Sequence, residues 1–351
     1  MKFFFISLSV TNILLSCQPT VLSYESTPKV DTHVHFRISD PSFLHILEEQ
    51  NFKVLSICTR SSDQESIDNQ LRHAYNLYQT NPERFGFATT FSMEGFEEPG
   101  WEAKTISRLK DDFESGALAV KVWKDIGMTF KDSTGNFIMI DNPKFDPVLE
   151  FISNENRTLI AHIGEPKNCW LPLEEMTVNN DRRYFKEHPE YHMYLHPDYP
   201  SYEDQIDARD RMLEKHPDLR VVAAHLASLE WDVDELAKRL ERFPNLAADM
   251  AARICHFQVQ DREKVRKFII KYADRLLYAT DIGLSEDDDF TTKEQDFTRT
   301  WRDDWTYFTT DSVLTSNAVS GSFQGLDLPA EVINHIYFKN SQTWFPNMWE
   351  P

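Results

Sequence analysis

The amino-acid sequence predicts an α/β fold of the (β/α)8 TIM-barrel type in a chain of 351 residues. Eight short apolar segments alternate with amphipathic, helix-like stretches from residue 29 onward, and eight βα units close such a barrel. The alternative is a doubly wound open sheet, which typically has a glycine-rich turn after its first strand. Here the first strand ends in HVHF, and the chain has only 10 glycines. The barrel is therefore the predicted fold.

The composition excludes several classes of function. Acidic residues outnumber basic ones 57 to 37, so the formal charge is −20 and the chain lacks the basic surface that nucleic-acid binding requires. No glycine falls into G-x-G-x-x-G, G-x-x-x-x-G-K or G-x-S-x-G. The dinucleotide fingerprint, the P-loop and the serine-hydrolase nucleophile elbow are therefore absent.

The first residues predict export. Lys2 precedes an apolar run that is too short to span a membrane, so residues 1–16 are typical of a signal peptide. The run ends in LLSC, which resembles the lipobox of bacterial lipoproteins, and Cys17 would be the lipidation site. Residues 17–28 would be a tether and residues 29–351 the barrel domain, anchored by lipid alone on the periplasmic or cell-surface side of a bacterial membrane. The alternative is an ordinary secretory signal that ends near a cysteine.

The predicted strands are short and apolar, as expected for strands covered on both faces. They span 29–36, 53–59, 84–91, 117–123, 158–163, 220–226, 245–251 and 275–282. Two insertions break the regular spacing, one at about 164–202 and an acidic one after the eighth strand. Both leave carboxyl ends of strands, where the active sites of such barrels lie, so we expect both to shape the mouth of a pocket.

Polar side chains interrupt four of these strands near their carboxyl ends. His33 and His35 alternate along the first strand and therefore share a face, His162 and His225 end the fifth and sixth, and Asp281 ends the eighth. In a barrel all five would face one mouth, where imidazoles with a carboxylate suit Zn²⁺ and, less selectively, Mn²⁺ or Fe²⁺. The alternative is that each histidine is an ordinary hydrogen-bonded residue of the core. That explanation has to be made separately for every strand on which such a residue occurs.

Four segments in order resemble the amidohydrolase-2 (amidohydrolase-related) family, which includes aminocarboxymuconate-semialdehyde decarboxylase and several lactonases. The segments are DTHVHF, AHIGEP, AAHLASLEWD and YATDIG. The resemblance implies a TIM barrel of the metal-dependent hydrolase type. It also implies one catalytic metal held by His33, His35, His162 and Asp281, with His225 beside it as a general acid/base or carbonyl polariser.

Three further residues are candidates for the site. Strand alternation points Lys121 inward, where it would bind a substrate carboxylate or, if carboxylated as in some superfamily members, a second metal ion. The alternative for Lys121 is a side chain that extends outward at the rim, and the same strand alternation places Lys124 there. Arg253 follows the seventh strand and could bind an anionic group, and Trp123 could line the cleft. A surface ion pair is the alternative for Arg253.

The leading hypothesis is a metal-dependent hydrolase of a small lactone, ester or amide. Its metal would activate water, Asp281 would accept the proton of that water, and His225 would steady the developing oxyanion. The alternatives are a non-oxidative decarboxylase of an unsaturated or aromatic acid, and a non-catalytic surface binding protein. We expect a small anionic or carbohydrate-derived substrate, whereas the sequence does not predict the oligomeric state.

Overall fold

The computed structural model describes residues 22–60, 62–346 and 348–349. The predicted signal peptide and Cys17 lie outside these residues, as does part of the predicted tether. Within the described ranges, no helix combines the length and the apolar character needed to cross a bilayer.

Seven parallel strands follow one another around the barrel in chain order, each paired with the next. Each overlaps its predicted segment, which confirms the predicted fold class. The strands are β1 Lys29–Arg37, β2 Phe52–Ile57, β3 Phe85–Thr90, β4 Ala119–Val122, β5 Thr158–Ala161, β6 Arg220–Ala223 and β7 Leu246–Asp249.

The eighth predicted strand, at 275–282, is a strand only at β8 Leu276–Leu277, and a second short strand, β9 Gly283–Ser285, begins directly after the predicted end. Between them Asp281 has a φ of 68°, in the left-handed region that interrupts an extended strand. β8 pairs with β7, and β9 pairs with β1. The backbone N–H of Asp281 also donates to the carbonyl of His33 over 2.8 Å. The last segment thus bonds to strands on both sides and closes the barrel.

The helices surround the strands. In the described ranges, eight helices have nine residues or more, and we number them in chain order. They are α1 Gln64–Thr80, α2 Trp101–Glu114, α3 Asp146–Asn154, α4 Asn179–Glu187, α5 Tyr202–Lys215, α6 Val233–Arg242, α7 Arg262–Lys271 and α8 Phe290–Thr309. Shorter helices of five residues span His45–Glu49, Ile254–Gln258, Ala330–Asn334 and Asn340–Trp344. The first strand is therefore followed by a short helix rather than a full one.

The first insertion contacts a hairpin at the mouth. α4 belongs to this insertion, and the hairpin, of β10 Val313–Thr315 and β11 Ser322–Gln324, follows α8 and so lies beyond the acidic insertion. The backbone N–H groups of Asn179 and Asn180 donate to the carbonyl of Ala318 over 2.8 and 3.2 Å. These bonds hold the hairpin against the start of α4.

An apolar layer closes the opposite end of the barrel. Trp344 and Phe345 pack there against inward side chains such as Val30 and Ile160. Asn340 donates from Nδ2 to a backbone carbonyl at the base of β8, that of Leu276, over 2.8 Å. Because this end is filled by apolar side chains, the polar interior lies at the carboxyl ends of the strands.

Candidate metal centre and active site

The first strand carries two histidines into the mouth of the barrel. The pairing register between β1 and β2 shifts after Asp31, and such an irregularity re-aims the side chains that follow. Val30, before the shift, packs in the apolar layer at the base. His33 and His35, after it, approach Asp281 at the other end.

These three side chains form a compact group of the metal-binding type. His33 Nε2 and His35 Nε2 lie 3.4 and 3.0 Å from Asp281 Oδ1. One ligand atom from each of the three side chains lies within 4.8 Å of the other two. In the described part of the chain, no other group of three His, Cys, Asp or Glu side chains meets this criterion. Three of the four predicted ligands are thus brought together.

Hydrogen bonds on the far side of each ring orient the two histidines. His33 Nδ1 lies 2.9 Å from Asp249 Oδ2, and His35 Nδ1 lies 2.8 Å from the carbonyl oxygen of Ile57. Each acceptor holds a proton on Nδ1, so the lone pair on Nε2 points toward Asp281. Metal-binding histidines typically have this arrangement.

The other two predicted histidines contact each other. His162 Nδ1 lies 3.2 Å from His225 Nε2, and His225 Nδ1 lies 2.9 Å from the carbonyl oxygen of Ala251. The carbonyl places the proton of His225 on Nδ1, so His162 donates to His225 from its own Nδ1. His162 Nε2 is then a buried lone pair with no hydrogen-bond partner among the described residues. His162 lies outside the compact group of three, and its role as a ligand stays a prediction.

This donor set fits a divalent metal ion. Burial lowers the pKa of His162 and of His225 well below the usual range, with a further contribution from Lys121 for His162. Burial alone would raise the pKa of Asp281, but the close contact with His35 and the other neighbouring histidines hold it well below its usual range. At neutral pH His162 and His225 therefore offer lone pairs, and Asp281 offers a negative charge. The orphaned Nε2 of His162 offers one more ligand atom.

Lys121 lies on the inner face of β4. Its side chain is fully buried, and Nζ lies 3.4 Å from His33 Nε2. Burial lowers the pKa of Lys121 to about 8. Trp123 lines the same cavity. The strand alternation therefore oriented Lys121 correctly, whereas the chemical roles of both residues stay predictions.

The prediction that Lys124 points outward is wrong. β4 ends at Val122, so the alternation of faces does not extend to Lys124. Its side chain is 5% exposed and forms an ion pair with Glu165. Arg253 Nη2 lies 3.7 Å from the second oxygen of Glu165. Arg253, predicted to bind an anion, thus lies in the cavity wall beside a carboxylate that Lys124 shares, and its role stays a prediction.

Two arginines that the sequence reasoning missed lie at the mouth. Arg37 is two residues beyond His35 on β1 and shares its face, and Arg60 follows β2. Both line the cavity of about 380 Å³ that contains the histidines. Arg37 donates from Nη2 to Thr59 Oγ1 over 3.0 Å, and in the described part of the chain neither guanidinium has a carboxylate within 4.0 Å. Guanidinium groups without an acidic partner can bind an anionic group by charged hydrogen bonds.

Two acidic residues were also missed. Asp249 ends β7 and is buried; burial alone would raise its pKa, but the charge and hydrogen bond of His33 lower it to about 2. The sequence did carry a signal for Asp249, because it is a lone carboxylate in an apolar strand. A lone polar residue in an apolar strand is also what identified His162. Glu165 follows His162 by three residues and had no periodic signal.

Comparisons with known proteins were made at the level of family, curated sequence and solved structure. A profile of the amidohydrolase family matches residues 61–346. Among curated proteins there is no significant match.

Solved structures share the fold at low sequence identity. An amidohydrolase II aligns over 90% of this chain and 99% of its own, with a TM-score of 0.52 and 16% identity. The 2,6-dihydroxybenzoate decarboxylase from Rhizobium aligns over 91% and 98%, with a TM-score of 0.53 and 14% identity. The 5-carboxyvanillate decarboxylase from Novosphingobium aromaticivorans, solved with manganese, aligns over 92% and 97%, with a TM-score of 0.50 and 13% identity.

At these identities the structural likeness establishes the fold alone. The family profile, in contrast, spans most of the chain and includes the carboxyl ends of β4 to β7 and Asp281, all of which line the cavity. The chain belongs to the amidohydrolase family and is an enzyme of the hydrolase or decarboxylase type.

Proposed function

We propose that this enzyme is a metal-dependent hydrolase of a small lactone, ester or amide that carries a carboxylate. One observation carries the proposal: the His33, His35 and Asp281 group and the unpaired Arg37 and Arg60 line the same cavity of about 380 Å³. A cavity of this size accommodates a small molecule. The arginines can hold the carboxylate while the reacting carbonyl lies near the histidines.

His33, His35 and Asp281 would hold the metal ion, with His162 Nε2 as a fourth ligand. Nitrogen and oxygen donors suit Zn²⁺ or Mn²⁺. The ion, when bound, supplies Lewis acidity that polarises a carbonyl and lowers the pKa of water. One ion is expected, and two equivalents with added mass on Lys121 would indicate the carboxylated-lysine form.

The protein's own groups supply the proton transfers and the charge. Asp281 carries a negative charge at the cavity floor and can take a proton from the attacking water, then return it to the leaving oxygen or nitrogen. His225 is neutral and holds its proton against Ala251, so its Nε2 side acts as a base or proton carrier rather than as a fixed oxyanion donor. The ammonium of Lys121, beside His33, can stabilise negative charge that develops on the substrate.

A second candidate function is decarboxylation of a small unsaturated or aromatic acid. The basic lining of the cavity favours it, because Arg37, Arg60 and Lys121 would all attract a carboxylate substrate. Two solved decarboxylases share this fold. In this reaction His225 or Asp281 would help to protonate the substrate carbon after CO₂ leaves.

One assay separates these functions. The purified protein, stripped of metal and reloaded with Zn²⁺ or Mn²⁺, is incubated with a panel of lactones, esters, amides and aromatic acids while proton release and CO₂ are recorded. Metal-dependent proton release without CO₂ supports the hydrolase, and CO₂ release supports the decarboxylase. His33→Ala should abolish either activity, and the exposed control His45→Ala should not. Ligand binding without turnover across the panel would favour the non-catalytic hypothesis.

Export and lipid anchoring through Cys17 also remain part of this proposal. An exported enzyme would meet substrates outside the cytoplasm, which favours a carbohydrate-derived lactone or acid. The only support for this is the sequence of the first 17 residues.

A further inference from the structure

Asp249 contacts two parts of the candidate site at once. Its side chain is 1% exposed, and Oδ2 lies 2.9 Å from His33 Nδ1. Oδ1 accepts the backbone N–H of His225 over 2.8 Å and that of Ala251 over 3.1 Å. One buried carboxylate therefore joins a predicted metal ligand to the backbone of the second histidine cluster.

The contact with His33 favours a proton on Nδ1, and the ammonium of Lys121, 3.4 Å from Nε2, acts in the same direction from the other side of the ring. A carboxylate can only accept, so His33 donates from Nδ1 and keeps the Nε2 lone pair free. That Nε2 is the atom of His33 that faces Asp281 in the compact group, 3.4 Å from Oδ1. Without the carboxylate, nothing at Nδ1 would favour this tautomer.

The contact with His225 fixes the start of an unusual turn. Residues 225–228 all have φ between 53° and 60°, although none is glycine. Left-handed backbone at such residues persists only where the surroundings hold it. The side chains of Arg209 and Tyr202 donate to carbonyls at the far end of the turn, those of Ala227 and Ser228. Asp249 holds the near end.

We propose that Asp249 is a positioning residue that fixes both the tautomer of His33 and the backbone of His225, and so prepares the metal centre. The proposal rests on the proposed metal-dependent function. It assigns no direct contact between Asp249 and metal or substrate. Its effect passes through the two histidines.

The test compares Asp249→Asn with the wild type and with Asp304→Asn. The amide is similar in size to the carboxylate but cannot accept from His33 and from both backbone groups together. Asp304 is the matched control, because its carboxylate also accepts a hydrogen bond inside the fold, from Tyr278, but does not line the histidine cavity. For each protein, Zn²⁺ affinity is measured by chelator competition, histidine tautomers by ¹⁵N NMR, and the Tm in the metal-free state.

We expect Asp249→Asn to bind Zn²⁺ about 10- to 100-fold more weakly than the wild type, the range for losing a carboxylate behind a histidine ligand. The His33 resonance should shift from the Nδ1–H to the Nε2–H tautomer. The signal is assigned by its absence in His33→Gln. Asp304→Asn should change neither readout. Wild-type Zn²⁺ affinity and an unchanged tautomer in Asp249→Asn would overturn the proposal.

A second variant and the wild-type control cover the remaining outcomes of the test. If Asp249→Asn does not fold, Asp249→Glu, which keeps the carboxylate, is tested in its place, and it should retain the Nδ1–H tautomer of His33. Loss of that tautomer in a folded Asp249→Glu would overturn the proposal. A wild-type protein that binds no Zn²⁺ would overturn the proposed function and this inference together, whereas normal binding in all variants would overturn only this inference.

Discussion

The ion pair between Lys124 and Glu165 is the most informative structural contact to perturb, because it lies in the wall of the cavity and both side chains are nearly excluded from solvent. They are 5% and 3% exposed, so water screens their attraction very little. Glu165→Gln removes the negative charge and leaves the ammonium of Lys124 buried. The nearest contacts that Lys124 Nζ then keeps include the hydroxyl of Tyr184 at 3.4 Å and the ring of Tyr191 at 4.1 Å.

The expected cost follows from that geometry. Breaking a buried pair from one side typically lowers stability by about 3–5 kcal/mol. The ring of Tyr191 reduces this loss of stability, because it still contacts the buried ammonium and a desolvated cation–π contact contributes about 2 kcal/mol. We therefore expect Glu165→Gln to lower the free energy of unfolding by about 3 kcal/mol, at the lower end of the range.

The double variant Glu165→Gln/Lys124→Met should recover most of this loss, because a neutral pair of similar volume avoids burying the lone charge of Lys124. The assay is urea unfolding of the metal-free proteins, so that metal binding does not contribute. The exposed Lys238, which among the described residues pairs with Glu235 alone, provides the control: Lys238→Gln should cost less than about 1 kcal/mol. A Glu165→Gln protein no less stable than this control, or a double variant less stable than the single one, would refute the reasoning.

Three further predictions concern the site and the anchor. Arg37→Met should raise KM for a carboxylate substrate by about 10- to 100-fold with little change in kcat, the effect of losing one charged hydrogen bond, whereas the exposed control Arg72→Met should leave KM unchanged in the same steady-state assay. His225→Asn should keep its metal content and lower kcat by about two to four orders of magnitude, whereas Asp281→Asn should lose both turnover and metal, as measured on the same preparations; the reverse pattern would exchange their roles. Cys17→Ser should move the protein from the membrane fraction to the soluble fraction, and unchanged retention would contradict lipidation.

The barrel could be predicted from sequence because its strands are covered on both faces. Each of β1 to β7 is a short apolar run, and a run of that kind has few alternatives in an α/β chain. The eighth strand was predicted as one piece because no sequence signal marks the left-handed backbone at Asp281. The same limit applies to His225, which was predicted at a strand end but lies in a left-handed turn.

The site was partly predictable for a related reason. A polar residue in an apolar strand is a strong local signal, and it identified His33, His35 and His162 before the fold was known. It would also have identified Asp249. Arg60 and Glu165 lie in connecting segments without periodicity, so only the folded chain brings them to the cavity.

The central claim is that His33, His35 and Asp281 hold the metal ion on which the reaction depends. The most direct test is the metal content of the purified protein and of His35→Ala after equilibration with Zn²⁺ and removal of loosely bound ions. The account predicts about one ion per chain in the wild type, the stoichiometry of a mononuclear site, and at least a tenfold loss in His35→Ala. A wild-type protein without bound metal, or a His35→Ala protein that binds as much as the wild type, would contradict it.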